Sequence, residues 1–500
     1  MAPHYTDCMT THEFFEQFGP HLTGWLVLVE IVLVVSTLCW VLQTKRDPMS
    51  ANAWSLTVLL IPFLGSFLFF VFGSQIITRP IRRRKLRKTA YKKLAGGVTG
   101  VDGVSGPSGE SAVAVPEGWE NLAKLAAHGD GFPVTRGNAV AFYHDGNPAY
   151  EAMLSAIHRA RHHVHIQFFI FRNDSSGRRF IDALCGCARR KVEVRFLYDS
   201  IGCYKLSSRL LRELTDAGGK VAAFLPLFSP LYRLRVNLRN HRKIVVVDGK
   251  VGFSGGLNIG DEYLGLHPKF GHWRDTHFRV EGPAVEGLQR LFLEDWFFAT
   301  EEAVHGSRYT PKFGRLPGKS LVQVVHSGPD SDYKAIRETY FAAILNARKR
   351  VWIASPYFVP DAGIKDAMIL AARTGVDVRF LGLFRPDKWI PFLAGRFYWS
   401  DVLAAGVKVY QYTAGMMHAK YVLVDGEWAS VGSANTDNRS LLLNFEANCQ
   451  FYDEALVAEL EREYLRDLEL SVRLDPDVYA TRPVVSRIAE NAARLFSPIL

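Results

Sequence analysis

Hydrophobic and polar positions divide the chain into three stretches with different periodicities. Trp25 to Leu42 is apolar apart from Glu30, Ser36 and the neighbouring Thr37, and Trp54 to Gly73 carries no charge at all. Each is long enough to cross a bilayer, and Trp25, Trp40 and Trp54 suit its interfaces. A two-helix transmembrane hairpin is predicted over residues 21–78, behind a tail of residues 1–20. Acids in that tail, where a basic start would be needed, argue against a signal peptide. Residues 96–118 are rich in Gly and Ser and read as a tether. Beyond about residue 119 the pattern alternates short β-rich runs with helical stretches. Val164–Phe171 and Val192–Tyr198 read as strands around a helix at Arg178–Arg190. Val351–Val359, a helix through Arg373, and Val376–Leu381 repeat that order. Strands alternating with helices imply an α/β fold around largely parallel sheets. Leu456, Leu460, Tyr464 and Leu468 form an i, i+4 stripe that predicts one further packing helix.

Composition adds little to this picture and charge adds one point. The chain has 500 residues, 48% hydrophobic and 22% charged, as expected for a folded protein of two or more domains. Its formal net charge of +10 is local. Residues 79–93 hold nine Lys or Arg and no acid, and without them 51 basic residues face 50 acidic ones. A near-neutral body gives no footprint for nucleic acid. A basic run directly after apolar spans reads as a juxtamembrane segment facing anionic lipid. The six cysteines (Cys8, Cys39, Cys185, Cys187, Cys203 and Cys449) lack metal-site spacing and imply no disulfide framework.

The chemistry lies in a repeat. His241, Lys243 and Asp248 in HRKIVVVDG recur 177 positions later as His418, Lys420 and Asp425 in HAKYVLVDG. The same offset aligns Val245 with Val422, Gly249 with Gly426, Gly255 with Gly432 and Asn258 with Asn435. Residues two apart on a strand share a face, so His and Lys act together. The Asp ends the strand with opposite parity at a hairpin turn, where it is expected to hold structure. Imidazole serves as nucleophile or acid near neutral pH, and lysine offsets charge on a phosphoryl oxygen. Asn258, Asn435 and Ser433 are candidate substrate-binding groups. Two such sets can clamp one phosphodiester, and no metal or other cofactor is called for by the motifs present. A carboxylate is expected to hold the second nitrogen of each histidine. Glu446, downstream of His418 in LLNFE, is the candidate for that histidine. Asp275, downstream of His241 in HWRDTH, is the candidate for the other. His162, His163, His165, His267, His272 and His277 show no such repeat and are read as structural.

These motifs resemble the phospholipase D superfamily. GGLNIGDEY (255–263), WRDTH (273–277), SPYFVPD (355–361) and SANTDNRSLLLNFE (433–446) are similar to its bacterial cardiolipin synthase branch. The resemblance implies two tandem phospholipase D-like α/β/α sandwich domains, at residues 119–309 and 310–500, behind a basic segment and linker at 79–118. It implies a multi-pass protein of the bacterial inner membrane whose partners are phosphatidylglycerol and other anionic phospholipids, with no obligatory protein partner. One histidine would attack phosphatidylglycerol to give a phosphatidyl-histidine, with His241 assigned that role and His418 that of acid and base. Transfer to a second phosphatidylglycerol would yield cardiolipin and glycerol. The alternative is a hydrolase using the same residues with water and releasing phosphatidic acid. One departure is Gly256, where many family members carry Ser, as this chain does at Ser433. An inactive membrane scaffold is the reading from another class, and two intact motifs argue against it.

Overall fold

The computed structural model describes residues 11–45, 48–73, 78–99, 113–129, 131–226 and 238–500. Contacts divide the chain into two compact units, Met1–Arg83 and Arg84–Leu500.

In the first unit a single helix runs Thr11–Thr44. It starts within the stretch read as a tail, and Gly24–Thr44 is apolar and long enough to cross a membrane. The second expected span is not one helix. It is broken into Pro48–Leu60, Pro62–Leu68 and a π-helical turn at Phe69–Gly73. Pro62 explains the break, because proline has no N–H to donate and its ring clashes with the preceding turn. Among the described residues only one helix is therefore long enough to span. Val41 packs with Ala51, Val58 and Phe69, so the broken segment lies along the first helix. Part of the expected tether falls outside the described residues, and its first residues belong to a helix, Thr78–Thr99.

The second unit is built on one mixed sheet of fifteen strands. In the first half Lys220–Phe224, Glu193–Asp199 and His163–Phe168 run parallel. Ile244–Val247, Val251–Gly255, His277–Glu281 and Thr135–Tyr143 then continue antiparallel. The second half repeats the plan. Lys408–Tyr412, Asp377–Leu383 and Arg350–Ala354 are parallel, followed by Tyr421–Val424, Trp428–Gly432, Glu446–Phe451 and Ser320–Ser327 antiparallel. The halves join where Thr135–Tyr143 pairs with Ser320–Ser327. The expectation of largely parallel sheets is corrected, since only three strands of each half are parallel. The reason is local: each His-Lys motif feeds a tight hairpin, and hairpins make antiparallel neighbours.

Both hairpins turn on the motif aspartate, which takes a positive φ of 54° at Asp248 and 57° at Asp425. Short polar side chains tolerate that region because they bond locally. The Asp248 carboxylate accepts the backbone N–H groups of Arg161, His162 and His163. Asp425 does the same for Arg348, Lys349 and Arg350. Each aspartate thus ties its hairpin to the start of the neighbouring parallel strand, away from the histidines. The predicted stripe near the C-terminus forms helix Glu454–Glu469, with Leu460 and Tyr464 buried.

Candidate active site

Both histidines lie in the extended segment just before the motif strand, and each is fixed by the other half of the protein. The His241 N–H donates to the Phe445 carbonyl at 2.9 Å, and the His418 N–H donates to the Arg274 carbonyl at 2.7 Å. Phe445 and Arg274 each precede a carboxylate. His241 Nδ1 lies 3.0 Å from both oxygens of Glu446. His418 Nδ1 lies 2.6 Å from Asp275 Oδ2. The expected pairing is therefore reversed: Glu446 serves His241 and Asp275 serves His418. Sequence distance misled because the partner of each motif is reached across the join between halves. Gly415–Met417 pairs in parallel with His272–Arg274, and Asn240 bridges to Phe445.

A carboxylate only accepts, so each Nδ1 carries a proton and each Nε2 keeps its lone pair. Lys420 Nζ lies 3.0 Å from His418 Nδ1. With that nitrogen protonated the approach is a contact, while the ammonium donates to the His418 carbonyl. Lys243 Nζ likewise donates to the His241 carbonyl at 2.7 Å. Both lysines are buried, whereas 11% and 12% of the two histidine side chains remain exposed. The histidines thus reach the surface with the lysines beneath them. The Phe169 ring stands against His241 and the Trp273 ring against His418.

Burial pulls both imidazoles down to about 4, against the upward pull of Glu446 on His241 and of Asp275 on His418. Both are neutral near pH 7. Burial also lowers Lys243 to about 7 and Lys420 to about 8. Burial would raise Glu446 and Asp275, yet both stay below the ordinary carboxylate range. His241 is the main cause for Glu446, and Lys420 for Asp275. Each motif feels the other, since Lys420 acts on His241 and Lys243 on His418. Two lysines that are cationic below about pH 7, beneath two neutral imidazoles, suit an anionic phosphodiester.

The remaining candidates lie deeper than expected. Ser433, a candidate substrate-binding group, is fully buried, its hydroxyl donates to Glu446 and it accepts the Ala447 N–H. Asn258 Oδ1 accepts the Ile170 N–H, and its amide contacts the Tyr263 hydroxyl. Asn435 donates to Asp437. The departure at Gly256 has a steric cause. A Cβ there would stand 1.9 Å from Asp275 Oδ1. The shorter aspartate reaches its histidine by occupying the space that a serine side chain would need.

The sequence reading missed the support beneath His241. Asp295 binds Arg242 through both oxygens at 2.9 Å and also accepts from Asn240 and Gln167. Arg84, from the basic run, reaches Asp295 at 2.5 Å and Asp330 at 2.8 Å, with its guanidinium 4.2 Å from the centre of the Phe445 ring. Lys85, Arg87 and Lys88 pair with Asp332, Glu301 and Glu294. Four of the nine basic residues are thus engaged with acids of the body, and for these four the expectation of a lipid-facing collar is corrected. Two acids, Glu294 and Asp295, within the apolar run LFLEDWFF were the available signal.

Comparison with known proteins fits this geometry. The family model described as "Cardiolipin synthase, PLD-like domain" matches residues 153–296 and 340–468, and "Phospholipase_D-nuclease N-terminal" matches 32–74. A cardiolipin synthase of Alkalihalophilus pseudofirmus is 39% identical, over 96% of this chain and 95% of its own. The chain belongs to the cardiolipin synthase family of the phospholipase D superfamily. Another cardiolipin synthase, from Geobacillus sp. (strain WCH70), is 36% identical over 98% of this chain and 96% of its own. A phosphatidylserine synthase of Haemophilus influenzae Rd KW20 shares the fold, with a TM-score of 0.56 and 15% identity over 72% of this chain and 95% of that one. The two segments of the first match fall on the two halves of the sheet, and each contains one of the repeated histidines, His241 or His418.

Proposed function

We propose that this membrane-associated enzyme is a phosphatidyl transferase that makes cardiolipin, with His241 as nucleophile and His418 as acid and base. The reading rests on the crossed braces His241–Glu446 and His418–Asp275, which leave two Nε2 atoms free in one basic site. In the first step His241 Nε2 attacks the phosphorus of a phosphatidylglycerol. The bond from phosphorus to the headgroup glycerol breaks, and the departing oxygen takes the Nε2 proton that His418 carries as an imidazolium, a form favoured by the bound phosphodiester anion. In the second step a hydroxyl of another phosphatidylglycerol gives its proton to His418 and attacks the same phosphorus. The N–P bond breaks, and cardiolipin leaves.

The phosphorylated imidazole is cationic, and Glu446 is built to hold it. Its carboxylate is fixed by Ser433 and Asn444 as well as His241. Asp275 divides its charge between His418 and Lys420, which suits a group that must release and recover a proton. Lys243 and Lys420 balance the charge gathered on the phosphoryl oxygens. Residues 119–309 and 310–500 are read as the two halves that supply one histidine each. Trp54–Gly73 is read as the second arm of a membrane hairpin: it is uncharged from end to end and packs along the first span despite its break. Two arms keep the site at the surface from which its substrate comes.

Purified protein in phosphatidylglycerol vesicles, followed by mass spectrometry, tests this. Cardiolipin and glycerol in equal amounts are expected. Phosphatidic acid as the sole lipid product would make the enzyme a hydrolase.

A further inference from the structure

Helix Val484–Arg494 is packed inside out. Its inner face carries Glu490, only 1% exposed and held by Arg396 and Arg482 at 2.8 Å each. Its outer face carries Val485 and Ile488, continued by Leu495 directly after its last residue, and these are 77%, 63% and 74% exposed. A helix on a water-facing surface has the opposite arrangement, so this one is built for an apolar neighbour. Helix Trp389–Ala404 packs against it. Arg482 bonds Ser400 and Glu490 bonds Arg396, so the two run antiparallel. That register places the exposed Trp389 and Ile390 at the Leu495 end.

We infer that these two helices form a lipid-docking face that seats the catalytic body on an anionic bilayer beside the site. Charge favours that occupant: Arg385, Lys388, Arg487 and Arg494 are exposed around the apolar residues, while Glu490 is turned inward. Apolar side chains ringed by cations bind the interface of an anionic membrane. Position favours it too. Ala394 and Ala493 pack together on Val359, and strand Phe358–Val359 pairs with Thr436–Asp437, directly after Asn435 of the second motif. The face therefore adjoins the place where a headgroup would enter. The inference rests on the lipid-substrate reading for its choice of occupant and adds where the body meets the membrane.

The test uses the full chain carrying Cys8→Ser and Cys39→Ser. An environment-sensitive fluorophore is attached at Val485→Cys, at Leu495→Cys, or at the exposed Arg212→Cys as control, and the protein is placed in phosphatidylglycerol vesicles. Blue-shifted emission quenched by nitroxide-bearing lipid is expected at 485 and 495 and not at 212. The double variant Val485→Glu, Ile488→Glu should raise KM for vesicle lipid at least tenfold and leave turnover of short-chain phosphatidylglycerol in detergent unchanged. Water-like emission at 485 and 495 would overturn the inference, as would energy transfer between protein copies without lipid quenching. The fluorescence is read without turnover, so it decides the docking face even for a double variant that folds poorly. Wild-type protein that fails on both substrates would count against the lipid reading and leave the fluorescence to decide the face.

Discussion

Glu446 holds the imidazole of His241 although 205 residues separate them, and Asp275 holds His418 across 143. Each histidine–carboxylate pair is therefore assembled from both halves of the chain, and neither half carries a complete one. Glu446→Gln should disable His241, and Asp275→Asn should disable His418. Each should lower kcat by roughly 10²–10⁴-fold with little change in lipid binding, because an amide can hold the wrong tautomer. Steady-state kinetics on vesicles checks this, with circular dichroism to confirm folding.

The approach of Asp275 to Gly256 makes a second prediction. Gly256→Ser forces a Cβ to within 1.9 Å of Asp275 Oδ1 and should push the carboxylate off His418. Activity should fall more than thermal stability does. Gly256→Ser with Asp275→Glu copies the Ser433–Glu446 arrangement of the other half and should recover part of the loss. A double variant no better than the single one would show that the two halves are not interchangeable at this point.

The buried lysines set the pH response. Free lysine is cationic well above pH 9, but burial brings Lys243 to about 7 and Lys420 to about 8. Deprotonation removes the charge that receives the phosphodiester, so kcat/KM should decline as pH rises through that interval. A bound anion favours the ammonium forms, so the alkaline limb of kcat should lie at higher pH than that of kcat/KM. On the acid side His241 must be neutral, and activity should fall as pH drops towards about 4. A flat profile between pH 7 and 9 would contradict this account.

Much of this was legible in the sequence, and the part that was not has a physical pattern. The repeat located both histidines, both lysines and the turn aspartates because those roles depend on residues a few positions apart. The carboxylate pairing was misread because two separate strand alignments, at Gly415–Met417 and at Asn240, carry it between halves. The strands were found and their direction was not, since an apolar run does not record which neighbour it will meet. The basic run was identified, but ion pairs with the body and a lipid-facing segment have the same composition.

The turn aspartates should separate stability from chemistry. Asp248→Ala leaves three backbone N–H groups at the start of the neighbouring strand without their acceptor and should cost about 1–3 kcal/mol. The fraction that folds should keep near-normal kcat. Asp425→Ala should behave alike in the second half. Thermal unfolding read beside specific activity checks both.

Arg84 links helix Thr78–Thr99 to the residues on either side of His241. Arg84→Ala leaves Asp330 and part of Asp295 buried without a cation, and breaking such a pair typically costs about 3–5 kcal/mol. Lys85→Ala, on the same helix with its side chain half exposed, should cost little. Unfolding midpoints of the two variants give the comparison.

The most direct test of the two-histidine account is to trap the intermediate. Enzyme mixed with phosphatidylglycerol labelled at phosphorus and quenched in alkali should carry label on His241, found by peptide mass spectrometry. The label should accumulate in His418→Asn supplied with a donor bearing a good leaving group, and be absent from His241→Asn. Label on His418 would reverse the assigned roles, and an unlabelled protein under turnover would contradict the covalent mechanism.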